Sequence, residues 1–252
     1  MALVTCKDLS LSYGRQPVVR GINCTIGEGD YLCVVGGNGS GKTSFILGIL
    51  GLIKIAAGHI ELGQGLSLQD IGYLPQQSTI QRNFPATVKE VVMSGRLSRL
   101  GRLPFYRRED KLSALKTLEL LEISDLASQP FSSLSGGQQQ RVLLARALCA
   151  THDGLKILIL DEPMNGLDPH MRHDLYDTIL DLNRSLGISI LMVTHDVQMA
   201  VSFASHILLL EGKQEFFGTT HEFEHTAIGQ QLIRDSCGGN CQTCGIRFGD
   251  ER

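Results

Sequence analysis

The sequence predicts an α/β fold, a parallel sheet between helices, with an antiparallel β portion near the N-terminus and an inserted helical subdomain. Three observations carry this. "KILILDEP" and "ISILMVTHD" each hold an apolar run of strand length, as expected of strands covered on both faces. Helical patterns follow both runs, so strand and helix alternate, the order that builds parallel sheets. A more charged helical block at roughly residues 86–150 interrupts the alternation and is expected to form a subdomain.

Taken in order, residues 1–35 read as strands. "LVTCKDLSLSY" and "YLCVVG" carry β-branched and aromatic residues, with a Gly-rich turn around Gly27–Asp30. "SFILGILGLI" has helix-like apolar spacing. "AGHIEL" and "DIGYLP" read as short strands, the second closed by Pro75. From Thr87 to about Leu126 the pattern turns helical, and Pro130 separates that block from the amphipathic helix of "SSLSGGQQQRVLLARAL". After "KILILDEP" come a helix in "PHMRHDLYDTILDLNRSLG", the strand "ISILMVTHD", a helix near Val197–Ser205 and the strand-turn-strand pattern "HILLLEGKQEFFG". Residues 1–225 are expected to form the main domain and 226–252 a C-terminal extension.

At 252 residues the chain can bury a full core. A net charge of −3 gives no basic footprint, so nucleic acid is not an expected partner. Phe45 to Ile55, the longest apolar stretch, falls far short of the ~18–20 residues that span a bilayer. "MALVTCKDLSLSYG" lacks a secretory pattern, which makes the cytosol the default compartment. Of seven cysteines, Cys6, Cys24, Cys33 and Cys149 are expected to be reduced core residues, and three cluster at the tail.

"GGNGSGKT" fits G-x-x-x-x-G-K-[ST] between a strand and a helix. Gly36, Gly37, Asn38, Gly39, Ser40 and Gly41 can turn successive N–H groups toward phosphate oxygens. Lys42 adds a point charge, the Thr43 hydroxyl can ligate Mg²⁺, and Ser44 continues the first helical turn. Asp161 ends a buried strand, where parallel sheets place their ligands; it can hold the Mg²⁺ shell while Glu162 polarises a water. Gln76, ending another strand, has an amide able to touch both Mg²⁺ and water. His195 could donate to a γ-phosphate, and Tyr13 could stack on adenine. Ser135, Gly136, Gly137 and Gln138 stand directly before a helix, a second anion-binding arrangement in the same chain.

Together these motifs resemble the ATP-binding subunits of ABC transporters, over about residues 3–225. The resemblance implies a P-loop NTPase fold, a RecA-like core with the antiparallel β subdomain and inserted helical subdomain. It reads Tyr13 as the A-loop, Gly36–Thr43 as Walker A, Gln76 as the Q-loop and "LSGGQ" at Leu134–Gln138 as the signature. Asp161 ends Walker B, Glu162 is the base, Asn165–Asp168 the D-loop and His195 the switch histidine. Gly37 stands where proline is commoner, and Asn165 where small residues such as serine are usual. The resemblance implies that two copies pack head to tail, each signature facing ATP on the other's P-loop. It further implies a membrane permease coupled through Gln76, an extracytoplasmic substrate-binding protein, and residence on the cytoplasmic face of the membrane.

"FPATVKEVV" with "RLGRLPFYRRED" is similar to the zinc/manganese importer branch, though siderophore, haem and cobalamin importers share part of the pattern; a soluble ABC ATPase is the other alternative. Arg96, Arg99, Arg102, Arg107 and Arg108 read individually as a solvated basic face. In the tail, Cys237, Cys241 and Cys244 have C-x₃-C-x₂-C spacing, which suits Zn²⁺ or another soft metal, with His221 or His225 as a candidate fourth ligand; an iron–sulfur cluster and a terminus that holds no metal are the alternatives.

Overall fold

The computed structural model describes residues 1–14, 16–76, 85–97, 105–151 and 156–236. Among these residues, nine strands form two sheets. β1 (Ala2–Tyr13), β2 (Gln16–Gly27) and β4 (Ile55–Leu62) make an antiparallel sheet in the order β2-β1-β4. The central sheet has the order β5-β6-β7-β3-β8-β9, from β5 (Ile71–Leu74), β6 (Ile157–Asp161), β7 (Ser189–Val193), β3 (Tyr31–Val35), β8 (His206–Leu210) and β9 (Gln214–Thr219). All its pairs are parallel except β8–β9.

Every residue of β3, β6 and β7 is buried, which explains why these segments read as unbroken apolar runs. Strand alternation divides them between two cores. Leu32, Val34, Ile157, Ile159, Leu191 and Val193 face Phe45, Ile46 and Ile49 of α1 (Lys42–Ile49) and the antiparallel sheet. Cys33, Val35, Leu158, Leu160, Ile190 and Met192 face the remaining helices.

The helical block contains α2 (Val88–Ser94), α3 (Arg108–Leu120) and α4 (Gly136–Cys149), which pack on one another. Its start lies beside the segment that precedes α4: the Phe131 N–H donates to the Ala86 carbonyl at 2.8 Å, and the Val88 N–H to the Gln129 carbonyl at 3.0 Å. Thr87 and Glu90 cap α2 reciprocally. The solvated basic face must be corrected at one position. Arg96 is only 8% exposed: its guanidinium pairs with Asp110 and donates to Ser113 Oγ and to the Cys149 and Thr151 carbonyls, tying α2, α3 and α4 together. Arg107 and Arg108 are exposed, while Arg99 and Arg102 lie outside the described residues.

α5 (Pro169–Leu186) opens on an Asp168 cap with Pro169 at its first position and closes at Gly187, φ 66°. α6 (Val197–Phe203) follows β7, and the described chain ends with α7 (Thr220–Glu224) and α8 (Ala227–Ser236), the latter packed against α6. Cys6, Cys24, Cys33 and Cys149 are buried free thiols, as expected of core residues.

Candidate functional site

The loop from Gly36 to Gly41 joins β3 to α1 at the C-terminal edge of the parallel strands, where such sheets bind ligands. Gly36 has φ 150°, and a Cβ there would lie 2.0 Å from the Leu210 carbonyl oxygen, so no side chain fits. Lys42, 6% exposed, folds back to donate to the Gly36 carbonyl at 2.9 Å and the Gly37 carbonyl at 2.7 Å. Its ammonium has three protons, so one remains for a ligand beyond those two bonds.

This loop floors a cavity of about 890 Å³, large enough for a nucleotide, which also takes in Ser44, Gln76, Glu162, Asn165 and His195. Asp161, at the end of β6, is buried and accepts a hydrogen bond from the Thr43 hydroxyl at 3.3 Å. Burial pushes its carboxyl above the usual value; the Thr43 bond and Lys42 pull it back, and neighbouring Glu162 adds to the rise. A buried carboxylate beside a hydroxyl, both hard oxygen donors, fits Mg²⁺.

Glu162 sits at φ 48°, a left-handed conformation that costs a non-glycine residue energy and is held by the surroundings. Its N–H donates to the Val193 carbonyl at 3.0 Å. Its carboxylate accepts from the Gln76 amide at 3.0 Å and the Asn165 amide at 3.2 Å. An amide from the distant end of β5 and one from three residues along the same loop thus fix one carboxylate at the wall of the cavity. The Asn165 contact is not predicted from the sequence, where that residue stands only as a departure from a pattern. Val18, Val197, Glu211 and Leu232 also line the cavity unannounced by any motif.

Tyr13 lies at the end of β1, 51% exposed, outside the residues that line this cavity. Ser135, Gly137 and Gln138 line a different cavity of about 270 Å³ that shares no lining residue with the first. Ser135 Oγ accepts from the Gln138 N–H at 3.3 Å while Gln138 Oε1 accepts from the Ser135 N–H at 3.0 Å, a reciprocal cap on α4. Because the hydroxyl oxygen is the acceptor, its proton stays available for donation outward. A Cβ on Gly137 would approach Met171 Sδ to 2.9 Å, so close packing of α4 on α5 constrains that glycine as well.

Among the described residues no group of three His, Cys, Asp or Glu side chains is arranged to hold a metal ion by itself. Cys237, Cys241 and Cys244 lie outside the described residues. No helix among the described residues is long and apolar enough to cross a membrane.

A family profile described as ABC transporter matches residues 19–165. The chain is 38% identical to the zinc import ATP-binding protein ZnuC of Jannaschia sp. (strain CCS1), over 84% of this chain and 80% of that protein. It is 36% identical to the manganese transport system ATP-binding protein MntB of Bacillus subtilis (strain 168), over 86% of each. Among solved structures, CbiO1 of Clostridium perfringens, part of the ABC transporter complex CbiONQ, superposes with a TM-score of 0.76 at 26% identity, covering 93% of this chain and 94% of that one.

Proposed function

The chain belongs to the ABC transporter family, and on that premise we propose that it is the ATP-hydrolysing subunit of a divalent-metal importer, for zinc or manganese. It works as a homodimer on the cytoplasmic face of a membrane permease, in a system fed by an extracytoplasmic binding protein. One observation carries the ATPase reading: Glu162, pinned by Gln76 and Asn165, faces the cavity whose floor is the Gly36–Gly41 loop. The metal reading rests on the relatives, named for zinc import and manganese transport.

In this reading the loop N–H groups after Gly37, whose own N–H is bonded to Glu211, and Lys42 bind the phosphates, with Ser44 at the helix start. Thr43 and Asp161, with Gln76, hold Mg²⁺, which when bound offsets charge on the phosphate oxygens. Glu162 orients the attacking water and accepts its proton, and His195 donates to the γ-phosphate. Tyr13 stacks on the adenine. Ser135, Gly136, Gly137 and Gln138 serve a second copy's nucleotide, since their cavity is separate from the P-loop cavity of the same chain. Gln76 passes the nucleotide state to the permease.

The test is nutritional and biochemical. Loss of this chain is expected to abolish growth under metal chelation, rescued by excess zinc or manganese; rescue only by an iron or cobalt chelate complex would move it to another importer branch. A polytopic membrane protein should copurify with it, and failure to find one would favour a soluble ATPase.

The spacing of Cys237, Cys241 and Cys244 supports a soft-metal site in the C-terminal extension. The preceding helix α8 packs on α6 and contributes Leu232 to the nucleotide cavity. Equal zinc content in the native chain and a triple Cys→Ser variant would exclude the soft-metal site.

A further inference from the structure

Glu211 follows β8 and puts an anionic side chain on the wall of a cavity built for anions. On charge alone it opposes phosphate binding, so its place there calls for an offsetting role. The geometry supplies one. Glu211 Oε1 accepts a hydrogen bond from the Gly37 N–H at 2.7 Å, across 174 residues of sequence. The same turn is bonded to the loop a second time, through the Gly212 N–H and the Ser40 carbonyl at 3.0 Å. It is also anchored to the antiparallel sheet, where the Arg20 N–H donates to the Gly212 carbonyl at 3.1 Å and the Asn23 N–H to Gln214 Oε1 at 2.7 Å. The start of the loop is wedged against this turn, since Gly36 leaves no room for a Cβ beside the Leu210 carbonyl.

We propose that Glu211 is a positioning residue for ATP: its carboxylate, through the Gly37 N–H, fixes the entry of the phosphate-binding loop to the β8–β9 turn. The bond needs a donor at position 37, which glycine has and proline lacks. Fixing the loop before the nucleotide arrives lowers the ordering cost of binding, so the effect falls on affinity and not on the chemical step. The proposal rests on the phosphate reading of this cavity.

The test is a double-mutant cycle on the full chain, read as KM and kcat for MgATP hydrolysis and as direct binding of a fluorescent ATP analogue. E211A is expected to raise KM and analogue Kd about five-fold with kcat within about two-fold, in line with loss of one charged hydrogen bond. E211Q keeps an acceptor and removes the opposing charge, so it should bind at least as tightly as the native chain. In a G37A background, which retains the N–H, E211A should keep its full effect; in a G37P background it should add nothing measurable. Unchanged binding in E211A overturns the proposal. So does tighter binding, which would make the carboxylate a repulsive charge only, and so does an equal effect of E211A in the G37P background. K42A is the separate control: if it leaves analogue binding intact, the phosphate reading fails and this proposal fails with it.

Discussion

In the proposed mechanism Glu162 concentrates most of the chemistry at a single residue. Its unfavourable φ places the carboxylate where it meets two amides, Gln76 from a distant strand end and Asn165 three residues on. Those amides donate to the carboxylate and leave its second oxygen for a water. E162Q is therefore expected to bind MgATP with a Kd close to that of the native chain while turnover falls at least 10²-fold, measured by phosphate release. Normal turnover in that variant would remove Glu162 from the role of base. What could be read at this scale divides by distance. Lys42 and Thr43 announce themselves because phosphate binding demands a fixed local spacing of glycines, a lysine and a hydroxyl. Glu211 does not, because it acts on a loop 174 residues away that only the fold brings near; Asn165 does not, because an amide three residues from Glu162 is unremarkable where it stands in the sequence.

At the scale of elements, the buried Arg96–Asp110 pair ties together three helices of the inserted block that also share an apolar core. Burial alone would push the Asp110 carboxyl up. Hydrogen bonds from the Arg96 guanidinium and the Arg107 N–H, with the charges behind them, outweigh that and hold it below the usual carboxylate value. A carboxyl depressed in the folded state contributes its stability in full above its unfolded value, near pH 4. That contribution is lost as pH falls through the lower, folded value. D110N should cost about 3 kcal/mol at neutral pH, since it strands a buried guanidinium, and should flatten the acid limb of the stability curve below pH 4. Chemical denaturation at pH 7 and pH 3.5 checks both. Arg96, Arg107 and Arg108 look alike in sequence; the packing of α2 on α3 and α4 turns Arg96 inward and leaves Arg107 and Arg108 exposed. Strands β6 and β7, by contrast, were legible because burial on both faces leaves no polar positions to blur the pattern.

Over the whole molecule, the phosphate loop and the capped serine–diglycine turn open on cavities with no residue in common. On the proposed function each is chemically incomplete, one with the lysine and base, the other with a hydroxyl proton at a helix N-terminus. The alternation of strands and helices foretold the sheet, and the two motifs were both visible along the chain. Their separation was not, because it depends on where α4 docks against α5 and β5. The E162Q chain should therefore elute as a dimer in MgATP and as a monomer without nucleotide, a difference that size-exclusion chromatography resolves. The separation also has a genetic reading. A damaged allele with a sound serine turn would still be recruited into pairs, so carriers of one good and one bad copy would show a dominant defect. With random pairing at equal expression, roughly a quarter of the pairs would escape it.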